Sequence, residues 1–109
     1  MALNTIEKTA LERFRDLVAE ALQGEAPEVT LFGSKARGDD RKDSDLDVLV
    51  LVSSEDWRLC DRVYDVATTL LLETGVCISP KVLNRKSFAQ MRRDGSSFAG
   101  NILRDAVAI

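Results

Sequence analysis

Apolar residues near the N-terminus recur at the spacing of one helix face. Asn4 is followed three residues later by Glu7, which is the pattern of a capping box. Gly24 and Pro27 then interrupt the pattern. We therefore predict an amphipathic helix over residues 5–23, with the apolar positions Ile6, Leu11, Phe14, Leu17, Val18 and Leu22 facing a core.

The rest of the chain alternates between short aliphatic runs and helical patterns. Residues 46–52 are almost all aliphatic, which is typical of a central strand that is covered on both faces. Pro80 interrupts a later run and places that strand at a sheet edge or at a bulge. The pattern predicts strands over 28–32, 46–52 and 76–83, and a short helical turn that ends at residue 37. It also predicts three further helices: one over 57–72, a short one that is capped by Asn84 or Ser87 and ends at Met91, and a last one over 98–107.

These elements indicate an α/β (α+β) fold with a small, mixed, three-stranded sheet and flanking helices. The chain has 109 residues, so we expect residues 1–109 to form a single domain. With 45% hydrophobic and 30% charged residues the composition is that of a soluble globular protein. No apolar run is long enough for a membrane span, and no signal peptide is evident, so we expect a cytoplasmic protein.

The net charge and the residue composition exclude some classes of function. The net charge of −3 argues against a non-specific nucleic-acid coat protein, although nucleotides remain candidate substrates. Histidine is absent, which excludes catalytic triads built on that residue. Cys60 and Cys77 lack metal-ligand spacing and are expected to be small buried hydrophobes. Trp57 and Phe88 fall at helical positions expected to face the core.

A Gly33-Ser34 turn follows the first predicted strand and precedes a helical turn. The unpaired N–H groups at a helix start, together with the Ser34 hydroxyl, would bind phosphate. The alternative is a plain strand-to-helix turn capped by Ser34. The spacing from Gly33 to Gly38 is that of a P-loop, but Asp39 and Asp40 stand where a P-loop needs lysine and Ser/Thr, which excludes that class.

Two carboxylates, Asp45 and Asp47, open the central strand. Residues two apart in a strand share a face and lie about 6.5 Å apart along the chain. Such a pair suits Mg²⁺ when substrate phosphates complete the coordination shell. The alternative is a pair that caps strand N–H groups or binds Arg37 or Arg41.

The combined motif resembles a known family. Gly-Ser-x-Ala-Arg-Gly, a polar loop and Ser-Asp-x-Asp before an aliphatic strand are similar to the DNA polymerase β-like nucleotidyltransferase superfamily, and above all to its minimal members. The resemblance implies nucleotide binding by Gly33, Ser34, Arg37 and Ser44. It further implies that Asp45 and Asp47 are catalytic and hold one or two Mg²⁺ ions.

The resemblance also implies a reaction, the transfer of a nucleoside monophosphate, AMP from ATP, to a hydroxyl acceptor. The implied acceptor is a small helical partner of the HEPN type, and the chain would be the antitoxin of a toxin–antitoxin pair. A nucleic-acid acceptor is the less favoured alternative, and self-association stays open.

One departure from the family pattern bears on catalysis. Active relatives carry a third carboxylate on the following strand, whereas this chain has Ser79 to Lys81 in that place. The alternative hypothesis is therefore a catalytically degenerate nucleotide-binding module that neutralises its partner by contact.

Overall fold

A computed structural model describes residues 3–38 and 45–109. In chain order the helices and strands are α1 (Thr5–Ala21), β1 (Glu28–Phe32), α2 (Ser34–Arg37), β2 (Leu46–Val52), α3 (Arg58–Thr74), β3 (Ile78–Asn84), α4 (Arg85–Arg93), α5 (Ser97–Asp105) and β4 (Val107–Ala108). The predicted bounds of β1 and β2 are confirmed, and α1 and α3 differ from prediction by one or two residues at their ends.

The strands form one mixed sheet in the order β3-β2-β1-β4. β2 runs parallel to β3 and antiparallel to β1, and β1 is antiparallel to β4. The mixed α/β architecture is as predicted, but the sheet has four strands rather than three. Ala106 is extended, with φ −59° and ψ 131°, so α5 ends at Asp105 and the last residues pair with β1 instead of continuing the predicted helix.

Helices cover both faces of the sheet. α1 and α3 pack on the face formed by alternate β2 residues such as Val48 and Val50, which are fully buried. α4 and α5 pack on the opposite face, where Leu49 contacts Phe88 and Ile102. The predicted burial of Phe88 is confirmed. The two longest helices, α1 and α3, have 17 residues each, and no helix in residues 3–38 or 45–109 could cross a membrane.

β3 forms an edge of the sheet, as Pro80 predicted. The parallel register leaves the Pro80 carbonyl on the outer side of the strand, and the Tyr64 hydroxyl of α3 donates to this oxygen over 3.2 Å. A proline without an N–H and a carbonyl with a side-chain partner both make an edge less able to pair with another strand.

Predicted burial was wrong at Ile6, Trp57 and Cys77. Ile6 of α1 is 61% exposed. The side chain of Trp57 is 70% exposed because α3 begins only at Arg58, which leaves Trp57 on the preceding turn. Ser54 and Asp56 form that turn: the Ser54 hydroxyl accepts from the Asp56 N–H, and Asp56 accepts from the Arg58 N–H. Cys77 is also exposed, since it precedes the first residue of β3.

A buried ion pair joins α1 to α2. The capping box is confirmed: Glu7 N–H donates to the Asn4 side chain over 2.8 Å, and the Glu7 carboxylate accepts from Asn4 N–H over 3.1 Å. The other Glu7 oxygen lies 3.2 Å from Lys35 Nζ, and the two side chains are only 10% and 3% exposed. Because water reaches neither charge well, the attraction between the two groups must compensate for the burial of both charges.

Replacing Lys35 by methionine should therefore destabilise the protein. Lys35→Met keeps most of the side-chain volume but leaves the Glu7 charge buried without its partner, which costs about 3 kcal/mol. Urea unfolding measures this loss. Lys8→Met, at an exposed position of α1, is the control and should change the unfolding free energy little. Equal effects of the two substitutions would contradict the importance of the pair.

Candidate active site

The pairing of β1 with β2 brings the glycine turn to the carboxylates. Phe32, the last residue of β1, lies directly opposite Asp47 in the antiparallel register. Gly33 and Ser34 follow Phe32 immediately, so the turn begins at the level of Asp47. The two sequence motifs, separated by a polar loop, thus meet at one end of the sheet.

Gly33 lies so close to Asp47 that a side chain at position 33 would displace the Asp47 carboxylate. A Cβ atom at position 33 would lie 2.4 Å from Asp47 Oδ2, well inside van der Waals contact. The backbone of Gly33 has φ 78° and ψ −159°, a conformation that is essentially restricted to glycine. Glycine is therefore required twice over, by conformation and by space.

Ser34 begins α2, and Gly33 precedes it as the N-cap residue. No side-chain hydrogen bond caps this helix, so the alternative in which Ser34 is merely a capping residue is not what the structure shows. N–H groups at the start of a helix have no carbonyl partner within it. Ser44 lies outside the described residues, and its role stays a prediction.

The two carboxylates lie close enough to influence each other. Burial is the main cause of a raised pKa at Asp47, and the negative charge of Asp45 raises it further. The positive charges of Lys81 and Arg37 act in the opposite direction. Asp45 is exposed and lies just before β2, whereas Asp47 is half-buried within the strand. The site thus concentrates negative charge where solvent screens it incompletely.

β3 places a serine where a third carboxylate would complete the site. Ser79 lies opposite Asp47 in the parallel register, and Lys81 lies two residues further along the same face. Glu73, the nearest acidic residue upstream in sequence, pairs with Arg13 of α1 and belongs to the packing of α1 on α3. Although Cys77 is exposed as a residue, its thiol is partly shielded from water and hydrogen-bonds with Asp45, and these two effects, in that order, raise the pKa of the thiol.

Arg37 binds Asp105, a residue that belongs to none of the motifs found in the sequence. Its Nη1 lies 2.8 Å from Oδ2 of Asp105, at the end of α5. Asp105 also accepts from Arg104 Nε over 3.2 Å, and its pKa is lowered by Arg104 and then by Arg37. Because 68 residues separate Arg37 from Asp105, no local pattern predicts this pair.

The donor set fits a magnesium ion that shares its shell with a substrate. Asp45 and Asp47 offer carboxylate oxygens, the ligand type Mg²⁺ prefers, and a cation would offset the burial and repulsion that raise the pKa of Asp47. Within residues 3–38 and 45–109 no group of three or more metal-ligating side chains occurs. A metal ion at this pair would therefore take further ligands from phosphates and water.

A glycine turn beside paired aspartates on a mixed sheet is the arrangement that the resemblance to nucleotidyltransferases implies, and the family comparison agrees. The model of the nucleotidyltransferase domain family matches residues 11–94, which include β1, the turn, both aspartates and β3. The chain belongs to the nucleotidyltransferase domain family.

Two similar proteins extend this assignment. A protein of Methanocaldococcus jannaschii named "Putative protein adenylyltransferase" is 34% identical over 99 residues, which are 91% of this chain and 93% of that protein. A crystal structure described as "a putative nucleotidyltransferase from Sulfolobus solfataricus" superposes with a TM-score of 0.51 at 20% identity. The match covers 97% of this chain and 86% of the other, and it shows a shared fold.

Alanine at position 33 should damage the site more than alanine at a comparable glycine. Gly33→Ala forces the Asp47 carboxylate to move and adds backbone strain, a cost of about 2 kcal/mol. Gly38→Ala is the matched control: φ is 82° there, but a Cβ would meet nothing within 4 Å. Urea unfolding compares the two variants. A greater loss of stability in Gly38→Ala would contradict the close contact at Gly33.

Removing the Asp47 charge should stabilise the protein at neutral pH. The pKa of Asp47 is raised above its ordinary value of 3.8, so the folded state binds this proton more tightly than the unfolded chain does. Stability is therefore lost as the pH rises through the raised pKa. Asp47→Asn should increase the unfolding free energy at pH 7, and the gain should shrink as the pH falls towards 3.8.

Urea unfolding at several pH values, without added Mg²⁺, measures this difference. Asp16→Asn, on the exposed face of α1, is the control because that side chain is 69% exposed. A loss of stability in Asp47→Asn at pH 7 would contradict the electrostatic description of the site.

Proposed function

We propose that this chain binds ATP with Mg²⁺ at the Gly33 turn and the Asp45–Asp47 pair, and transfers AMP to a hydroxyl group of a partner protein. The observation that carries the proposal is the close approach of the Gly33 backbone to the Asp47 carboxylate, which supports phosphate binding at the start of α2 beside a cation at the aspartate pair. The name of the M. jannaschii relative, a protein adenylyltransferase, supports AMP as the transferred group and protein as the acceptor.

Each candidate residue has a role in this proposal. Gly33 allows the backbone to approach a phosphate, and the Ser34 hydroxyl donates to it. Arg37 supplies positive charge beside the phosphates, with Ser44 as the further predicted contact. Asp45 and Asp47 would hold Mg²⁺, which when bound neutralises phosphate charge and acidifies the acceptor hydroxyl.

The transfer itself is a displacement at the α-phosphorus. The acceptor oxygen forms a bond to this phosphorus, and the bond to the bridging oxygen of the β-phosphate breaks. Pyrophosphate leaves, and the acceptor proton passes to water, since Ser79 rather than a carboxylate faces Asp47. The part played by the chain is to align the nucleotide and to hold charge where it develops.

For the acceptor we propose a helical partner of the HEPN type, with this chain as the antitoxin of the pair. Large apolar side chains exposed on and next to α3 support a protein partner: Trp57 is 70% exposed, Leu72 83%, Tyr64 49% and Leu71 43%. Apolar surface grouped on one element is typical of a protein contact site.

The second candidate function is neutralisation of the partner by contact, without chemical transfer. Ser79 opposite Asp47 favours it, because a hydroxyl does not supply the negative charge or the proton acceptor of a third carboxylate. In this case the chain would bind ATP but turn it over very slowly.

Incubation with ATP labelled at the α-phosphate, Mg²⁺ and the product of the neighbouring gene tests the first candidate. The partner should become labelled, and Asp45→Asn should reduce labelling by about 100-fold or more, since even indirect metal contacts are worth 10- to 100-fold. Asp16→Asn, far from the site in sequence and exposed, should label at the wild-type rate.

Calorimetry with ATP and Mg²⁺ separates the remaining outcomes. Binding without labelling would support the contact mechanism, and Ser79→Asp should then raise labelling by supplying a carboxylate opposite Asp47. Labelling that is unchanged in Asp45→Asn would contradict the proposed site. Absence of ATP binding by the wild-type protein would contradict both candidates.

A further inference from the structure

Asp105 holds Arg37 from outside the sequence motif. The hydrogen bond from Arg37 Nη1 to Asp105 Oδ2 is 2.8 Å long, within the range of a strong charge-assisted bond. The Asp105 side chain is only 6% exposed, whereas that of Arg37 is 41% exposed. The carboxylate is thus a shielded anchor, and the guanidinium lies partly open to solvent.

The segments before and after Asp105 in the chain are both packed against the rest of the protein. Before it, α5 packs through the buried residues Ala99 and Ile102. After it, Val107 pairs with Leu31 of β1, and Ile109 N–H donates to the Val29 carbonyl over 3.3 Å. Asp105 therefore keeps its position relative to β1, the strand that leads directly into the Gly33 turn.

Arg104 and Arg37 both bind the carboxylate of Asp105. Arg37 also lies near Asp47, where its positive charge opposes the rise in pKa that burial causes. A guanidinium offers five donors and keeps its positive charge when it binds a carboxylate. The bond to Asp105 uses a donor at Nη1 and holds this end of the side chain at the C-terminal end of α5.

We propose that Asp105 is a positioning residue for the nucleotide: it orients Arg37 towards the phosphates, so that binding depends on the docking of α5 and β4 against β1. This inference rests on the nucleotide site proposed above and adds a residue to it. An arginine held in one orientation loses less rotamer freedom when it binds a phosphate than a mobile one does. Asp105 should therefore increase the affinity for the nucleotide only when Arg37 is present.

A double-mutant cycle on the full chain tests this dependence. Calorimetry gives the Kd for ATP with Mg²⁺, and for inorganic tripolyphosphate, in Asp105→Asn, Arg37→Ala and the double variant. Asp105→Asn should weaken both ligands by about tenfold, because the effect concerns phosphate rather than adenosine. In the Arg37→Ala background the same change should have no further effect.

Asp16→Asn is the matched control, since Asp16 accepts from its neighbour Arg15 Nε over 3.1 Å much as Asp105 accepts from Arg104, and lies on α1. It should leave both Kd values unchanged. Asp105→Glu keeps the charge and replaces the Asn variant in the cycle if that variant does not fold.

The outcomes are distinct. Wild-type protein that binds neither ligand would contradict the nucleotide site itself. Wild-type binding that Asp105→Asn leaves unaltered would overturn the positioning role alone. A loss that persists in the Arg37→Ala background would overturn it as well, since a general structural effect does not depend on Arg37.

Discussion

The approach of Gly33 to Asp47 is the constraint on which the site depends. It exists because β1 and β2 pair antiparallel with Phe32 opposite Asp47, so that the chain leaves β1 beside the carboxylate. The register is fixed by burial: a shift of one residue would put the Asp47 carboxylate on the face of β2 that carries Val48 and Val50, whose side chains are fully buried. The hydrophobic core therefore sets the geometry of the polar site.

α2 joins the two sides of the molecule at this point. Lys35 points into the core and pairs with Glu7 of α1, while Arg37 binds Asp105 of α5. A four-residue helix has little stability of its own, so contacts from elsewhere in the chain must hold it. The residues next to the Gly33 turn are thus positioned by opposite ends of the sequence.

β3 borders the site next to β2, and its side chains bear on whether a bound nucleotide would also react. β3 lies beside β2 in parallel, yet its residue opposite Asp47 is a serine. The remaining carboxylates repel each other, with Asp47 half-buried, and a cation delivered with a phosphate would relieve that repulsion. The charge of this site therefore suits a ligand that consists of a cation bound to a phosphate.

Local pattern was sufficient for most of the fold and for the core of the site. Spacing along the chain predicted the limits of β1 and β2, the capping box at Asn4 and the edge position of Pro80. The family was predicted from the resemblance of one motif to a known superfamily. These features depend on residues close in sequence, where the periods of helices and strands are directly visible. The same resemblance implied that the glycine turn and the two aspartates belong to one site.

Tertiary structure alone decided the rest. β4 forms because Val107 and Ala108 find free strand positions beside β1, which a helical spacing of apolar residues does not reveal. Buried Lys35 and anchoring Asp105 likewise have partners 28 and 68 residues away in sequence, at Glu7 and Arg37. Burial and ion pairing depend on distance in space, and that distance is set only when the sheet has brought remote segments together.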